Sequence, residues 1–273
     1  PLLGAFLVQH LGWPSIFWIN VPFGLACIAI VLRFFNEAVH VVTHEIDYAG
    51  SLLLAFGVGV VMFALVMAGN LPWPVRGGMT LAGFVAIAVL LRHELRVNEP
   101  ILPLELYRQP VIALANAGNF AMGAMLMAVS AFMPTYVQGA MGRSAAVAGT
   151  VLGVLMVVWV VGSFVGAQLM LRTSYRLTAV VGGIATLAGS VLLATLTPER
   201  GTLWASAGCA FLGFGFGLVN GVFIIATQSS VGWEQRGRAT ASTIFQRQLG
   251  QAIGTALFGA VFNLGIYARI PDA

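Results

Sequence analysis

Long runs without a single charge recur along this chain, and they constrain its fold more than any motif does. Uncharged stretches cover 1–32, 48–75, 77–91, 109–142, 144–171, 177–198, 201–233 and, apart from Arg247, 239–268. About 20 apolar residues span the hydrocarbon core of a bilayer, and a charge at its centre costs several kcal/mol. The runs therefore read as membrane spans. Composition agrees: 59% of the residues are hydrophobic and 8% charged, against about 25% charged in soluble chains. Helices are favoured over a barrel, because the runs are long and do not alternate, whereas a barrel strand needs only about ten residues.

Eight spans fit, at about 15–33, 48–69, 75–92, 110–138, 145–171, 176–196, 202–228 and 239–266, and 1–10 reads as the tail of an earlier one. The predicted fold class is an all-α polytopic membrane protein. Residue 1 is Pro rather than Met, so the sequence is expected to begin inside a longer chain. All 13 positive residues are Arg, scattered between apolar runs. Despite the net charge of +4, that is a loop pattern rather than a nucleic-acid patch. Arg33, Arg92, Arg96, Arg108, Arg172, Arg176, Arg236 and Arg238 collect on one side; Arg76, Arg143, Arg200 and Arg269 collect on the other. The richer side is expected to be cytoplasmic. Cys27 and Cys209 both lie in apolar runs and read as small buried side chains.

Small residues recur at steps of four in Gly149/Gly153, Gly162/Gly166, Gly213/Gly217/Gly221 and Gly250/Gly254. That spacing puts each set on one helix face, where backbones can approach closely. The run Gly213-Phe-Gly-Phe-Gly superficially resembles a nucleotide loop, but no strand precedes it and no Lys or acidic partner follows.

Polar residues inside the spans are the candidates for function. Thr240, Thr243, Arg247, Gln251 and Thr255 recur at steps of three or four and line one face of the last span. Arg247 lies nine residues past Arg238, roughly 13 Å deeper along a helix. It is read as facing a wet cavity or gate, with a structural helix contact as the alternative. Asn116 and Asn119 sit on a similar stripe with Gly123, Ser130 and Pro134, while Asn220 and Gln228 add amides that suit either a substrate pathway or interhelical hydrogen bonds.

Enzyme chemistry finds no support. All nine carboxylates fall in loops or at span ends, so no buried acid pair is expected. His40 and His44 beside Glu45 lack a third ligand for a metal, and none is expected. Asp47 reads as a favourable negative charge at the first turn of the helix beginning near Tyr48.

Several segments resemble the major facilitator superfamily. Pro1-Leu-Leu-Gly4-Ala is similar to the second half of the antiporter motif that ends the fifth span of its drug exporters. Gly12-Trp13-Pro-Ser-Ile-Phe17-Trp18-Ile-Asn20-Val-Pro22-Phe-Gly24 resembles the signature entering the sixth. Asp47-Tyr-Ala-Gly50, Pro100-Ile-Leu-Pro103-Leu-Glu-Leu-Tyr107-Arg108, Pro134-Thr-Tyr136-Val-Gln138 with Ala148-Gly149, Arg236-Gly237-Arg-Ala239-Thr240 and Arg247-Gln248-Leu249-Gly250 continue the match in order. The pattern resembles the fourteen-span drug:proton antiporter branch of the EmrB/QacA type. Ala5, Pro14 and Ser174 depart from it, standing where that branch has Gly, Arg and Gly.

The resemblance implies an incomplete helical bundle. Residues 1–33 would end the N-terminal six-helix half, 34–109 would hold cytoplasmic loops and two inserted helices, and 110–273 would form the C-terminal half without its last helix. It implies a transporter rather than an enzyme: proton-coupled efflux of drugs or other amphipathic small molecules by alternating access from the inner (plasma) membrane. The proton gradient would stand in place of a cofactor, and the coupling carboxylates would lie outside this chain. Partners would be the substrate, protons and lipid, with no nucleic acid and a periplasmic adaptor left open. Export of one specific metabolite and a non-transporting membrane scaffold are the alternatives.

Overall fold

The computed structural model of the chain describes residues 2–35, 47–67, 71–97 and 100–267. Pro1, His40, His44 and Glu45 fall outside the described residues. The helices are α1 (Leu2–Leu11), α2 (Ser15–Trp18), α3 (Asn20–Phe34), α4 (Tyr48–Val66), α5 (Trp73–Glu94), α6 (Pro110–Gly139), α7 (Ala145–Arg172), α8 (Tyr175–Ala194), α9 (Gly201–Ser229) and α10 (Arg236–Tyr267), and no strand occurs among the described residues. Seven segments, α2 with α3 and each of α4 to α9, are long and apolar enough to cross a membrane. The chain is thus a multi-pass, all-α membrane protein. At the place of the eighth expected span lies the helix α10, which is 32 residues long. It is not among the seven apolar segments, and it carries the polar stripe that the sequence singles out.

Local chemistry starts and stops these helices where the charge map places the loops. Asp47 accepts a hydrogen bond from the Gly50 amide at 2.8 Å and caps α4. Ser144 and Ser174 do the same for α7 and α8 through the Val147 and Leu177 amides. Ser174 is one of the departures from the family pattern, and here its hydroxyl satisfies a helix-end donor. Pro110 occupies the first position of α6, where its missing N–H costs nothing. Gly142, at φ 62° between α6 and α7, takes a left-handed conformation that side chains with a Cβ resist.

Packing divides the bundle into pairs and a sandwich. α9 lies between α7 and α8, α6 pairs with α10, α4 pairs with α5, and α6 and α10 both also touch α9. α4 additionally packs against α10, so the α4–α5 pair is joined to the rest through that helix. Lipid is as apolar as a leucine, so close approach of backbones rather than the hydrophobic effect holds such helices together. Gly162, Gly166, Gly213 and Gly217 put α7 and α9 backbone to backbone: a Cβ on Gly162 would lie 2.6 Å from the Phe214 carbonyl oxygen. Gly182, Gly189, Gly208 and Gly215 do the same between α8 and α9.

The Gly-Phe-Gly-Phe-Gly run is explained by this sandwich. Residues two apart on a helix point in nearly opposite directions, so Gly213 and Gly217 meet α7 while Gly215 meets Thr186 and Gly182 of α8. Phe216 between them is buried and packs edge-on against Trp159, ring centres 5.6 Å apart. Gly221 does not share that role, because a Cβ there would meet only the end of Met170 at an ordinary 3.6 Å.

Candidate functional site

The polar residues of α10 fall on two sides of the helix and engage two different neighbours. Toward α9, Arg247 Nη1 donates to Asn220 Oδ1 at 3.2 Å, and Gln228 Nε2 donates to Thr240 Oγ1 at 2.9 Å. Arg247 is half-buried, its Nε is buried without a partner, and it makes no ion pair among the described residues. Hydroxyls of Thr240, Thr243 and Thr255 donate back to carbonyls of their own helix. These bonds satisfy the hydroxyl donors within the helix, with Thr243 buried and Thr240 Oγ1 accepting from Gln228. Gln251 is half-buried on the same face, and its carbonyl is the acceptor for Thr255.

Toward α6, the arrangement is a closed clasp. Tyr107 OH shares a hydrogen bond with Ser242 Oγ at 2.9 Å and accepts one from Gln246 Nε2 at 2.7 Å. Ser242 Oγ also accepts from Asn116 Nδ2 at 3.1 Å. Asn119 Nδ2 donates to the Ala115 carbonyl of its own helix at 3.0 Å. Asn116 and Asn119 are each only 2% exposed. Both asparagines are therefore packed between helices, and only Asn116 reaches across.

Below these bonds, α6 and α10 touch at backbone level. A Cβ on Gly123 would collide with the Arg247 carbonyl, one on Gly250 with the Phe120 carbonyl, and one on Gly254 would come within 2.6 Å of Ala124 Cα. Arg247 thus sits at the tightest crossing of α6 and α10 while its side chain reaches α9.

Two clefts open at opposite ends of this three-helix unit. One, of about 680 Å³, is lined by Gln228, Trp233, Arg236, Thr240 and Ile244 at the arginine-rich end. The other, of about 370 Å³, is lined by Phe132, Met133, Tyr136, Phe258 and Phe262 with Leu193 of α8 and Leu196 just beyond it. The stripe runs inward from the first cleft, with Arg247 about two turns deeper than Thr240.

Among the sequence candidates, Arg247 pairs with Asn220 and, about two turns away, Gln228 pairs with Thr240, while Asn116 joins a separate clasp and Asn119 stays on its own helix. Gly4 lies on α1 with open space around it, and its motif partner Pro1 is outside the described residues. Tyr107, Ser242 and Gln246 are not among the sequence candidates, although Ser242 and Gln246 stand four apart on one helix face, a spacing that lets them share a partner.

Two expectations are overturned: Cys27, read as buried, is exposed on α3 whereas Cys209 is buried, and two carboxylates turn out to be buried together. Asp47 and Glu94 do sit at span ends, yet the fold of α4 against α5 brings both inward. Glu94 is 3% exposed, and Asp47 Oδ2 and Glu94 Oε1 are both buried without partners. Burial at a helix end is not visible in a charge map.

Comparison with known proteins agrees with this architecture. A family model described as Major Facilitator Superfamily matches residues 1–255. The chain is 28% identical to Multidrug resistance protein 3 of Bacillus subtilis, covering 100% of this chain and 54% of that protein. It is 29% identical to Multidrug transporter protein MdtP of the same organism, over 96% of this chain and 49% of that protein. It is 28% identical to the Tetracenomycin C resistance and export protein of Streptomyces glaucescens, over 100% and 51%. The chain spans about half the length of these relatives. With the helical bundle and a family match over most of its length, the chain belongs to the Major Facilitator Superfamily.

Proposed function

We propose that this chain is the latter part of a proton-driven exporter of drugs and other amphipathic small molecules, working by alternating access within the fourteen-span branch. In this reading 1–33 ends the first helical half, α4 and α5 are the inserted pair, and 110–273 builds most of the second half. The protein resides in the inner membrane with the arginine-rich end in the cytoplasm. α9 and α10 face the substrate route, and the apolar cleft beside Phe132 and Phe262 accepts apolar parts of a substrate.

The observation that carries this reading is Arg247. A guanidinium kept within a membrane helix, bonded to the neutral amide of Asn220 and with Nε unpartnered, is an expensive feature with no structural return from an ion pair. Charges retained inside membrane bundles mark ion and substrate routes, and this one is available to a carboxylate supplied by another part of the protein. The names of the similar proteins, concerned with drug resistance and export, support the substrate class.

The test is extrusion of a cationic amphipathic dye by cells lacking their own exporters and expressing the whole protein of which this chain is part. Extrusion that stops on addition of a protonophore, and a loss of internal acidity from energised inverted vesicles when dye is supplied, are the expected results. Absence of extrusion at normal membrane abundance favours the scaffold alternative, and extrusion insensitive to the protonophore removes proton coupling.

A further inference from the structure

The cytoplasmic-side ends of α4 and α5 meet in a cluster that the transport reading does not use. Asp47 Oδ1 accepts from the Gly50 amide at 2.8 Å and bonds His93 Nε2 at 2.9 Å. Glu94 Oε2 accepts from the Leu102 amide at 3.0 Å, tying α5 to the segment that leads to Tyr107. The remaining oxygens, Asp47 Oδ2 and Glu94 Oε1, are buried and have no donor. Both border the small space beside Gly50 that a Cβ would fill. A carboxylate is an acceptor only, so two ionised groups placed this way leave two buried oxygens unsatisfied and repelling each other. One proton between them satisfies both.

We propose that Asp47 and Glu94 form a buried proton-binding site that holds a single proton between the two carboxyls. The proton is carried by Glu94 Oε1 and donated to Asp47 Oδ2, while Leu102 stays bonded to Glu94 Oε2. The Gly50 amide and then His93 hold the Asp47 carboxyl below its ordinary range, which makes it the acceptor. The charged groups facing the site are His93 from α5 and, across a cavity of about 160 Å³ beside Glu94, Glu105 of the segment and Arg238 of α10. The inference stands independently of the transport reading.

Infrared spectroscopy of the full chain in lipid nanodiscs at neutral pH tests it. The wild type shows the carbonyl stretch of a protonated, hydrogen-bonded carboxyl that shifts in heavy water. Glu94→Gln and Asp47→Asn each remove it, and Glu105→Gln does not. Glu94→Gln keeps the fold, since its amide donates to Asp47 and its carbonyl accepts from Leu102. No such band, as for two ionised groups or a bound sodium ion, overturns the proposal.

Discussion

Among the described residues Arg247 meets one amide and no acid, and its energetics separate two explanations of its presence. A charge at the centre of a membrane helix costs about 2.5–3.5 kcal/mol on insertion scales, and one hydrogen bond to a charged group returns about 1.5–3 kcal/mol. Arg247→Ala is therefore expected to leave thermal stability in detergent unchanged or slightly raised while efflux by the whole protein falls at least tenfold. Arg247→Lys keeps the charge but loses the planar fork, and it falls between. Loss of stability with full transport in the survivors would make Arg247 a packing residue. The sequence exposes Arg247 and Asn220 because polar groups stand out in apolar runs. Tyr107 is not exposed in this way, since it lies in a loop beside other polar residues and gains its role only when α10 arrives 135 residues later. Glu94 is hidden for the same reason, its partner lying on another helix.

Helix boundaries were largely legible, because charges and prolines gather at the ends of membrane helices, with Pro134 inside α6 and Arg247 inside α10 as exceptions. The expected third span, 75–92, is realised as Trp73–Glu94, and the last expected span as Arg236–Tyr267. The glycine spacing was legible in part. Gly213 and Gly217 meet α7 as their spacing suggests, whereas Gly221 does not, and Gly215 faces the other way into α8. A step of four names a shared face but not where the partner helix diverges. Gly217→Ala forces a Cβ against the Trp159 carbonyl and the Ser163 amide, backbone atoms that cannot turn aside. Overpacking of this kind costs about 1–3 kcal/mol, read as lower thermal stability, while Gly221→Ala is tolerated. At the start of α4, Asp47 is held below its ordinary 3.8 by the Gly50 amide and by His93. Its contribution to stability is complete above that ordinary value and fades as pH falls through the lowered one. Thermal unfolding from pH 5 downward should accordingly weaken the wild type more than Asp47→Asn, which keeps a cap but cannot ionise. Parallel curves would remove Asp47 from the acid response.

The arrangement of the whole molecule follows from alternation of the spans. Asp47 with His93, Glu94 with Leu102, Tyr107 with Ser242, and Gln228 with Thr240 all meet at one end of the bundle. Tyr136 with Leu196 and Trp204 with Leu192 meet at the other. Single cysteines at the exposed positions 108 and 236 should resist an impermeant maleimide in intact cells, and one at position 143 should react rapidly. The opposite pattern reverses the orientation. Pairing of the helices was beyond the sequence, because nothing in an apolar run states which of several neighbours it will touch.

The backbone contacts of α9 carry one more implication, for how such a chain changes over generations. Because the glycines at 213, 215 and 217 bring main chain to main chain, the two flanking helices are positioned by atoms that every amino acid shares. Side chains elsewhere on α7 and α8 are released from holding the helices in register. A saturation library should show a narrow intolerant line along those glycines beside broad permissive flanks, so specificity can drift while the scaffold is inherited intact.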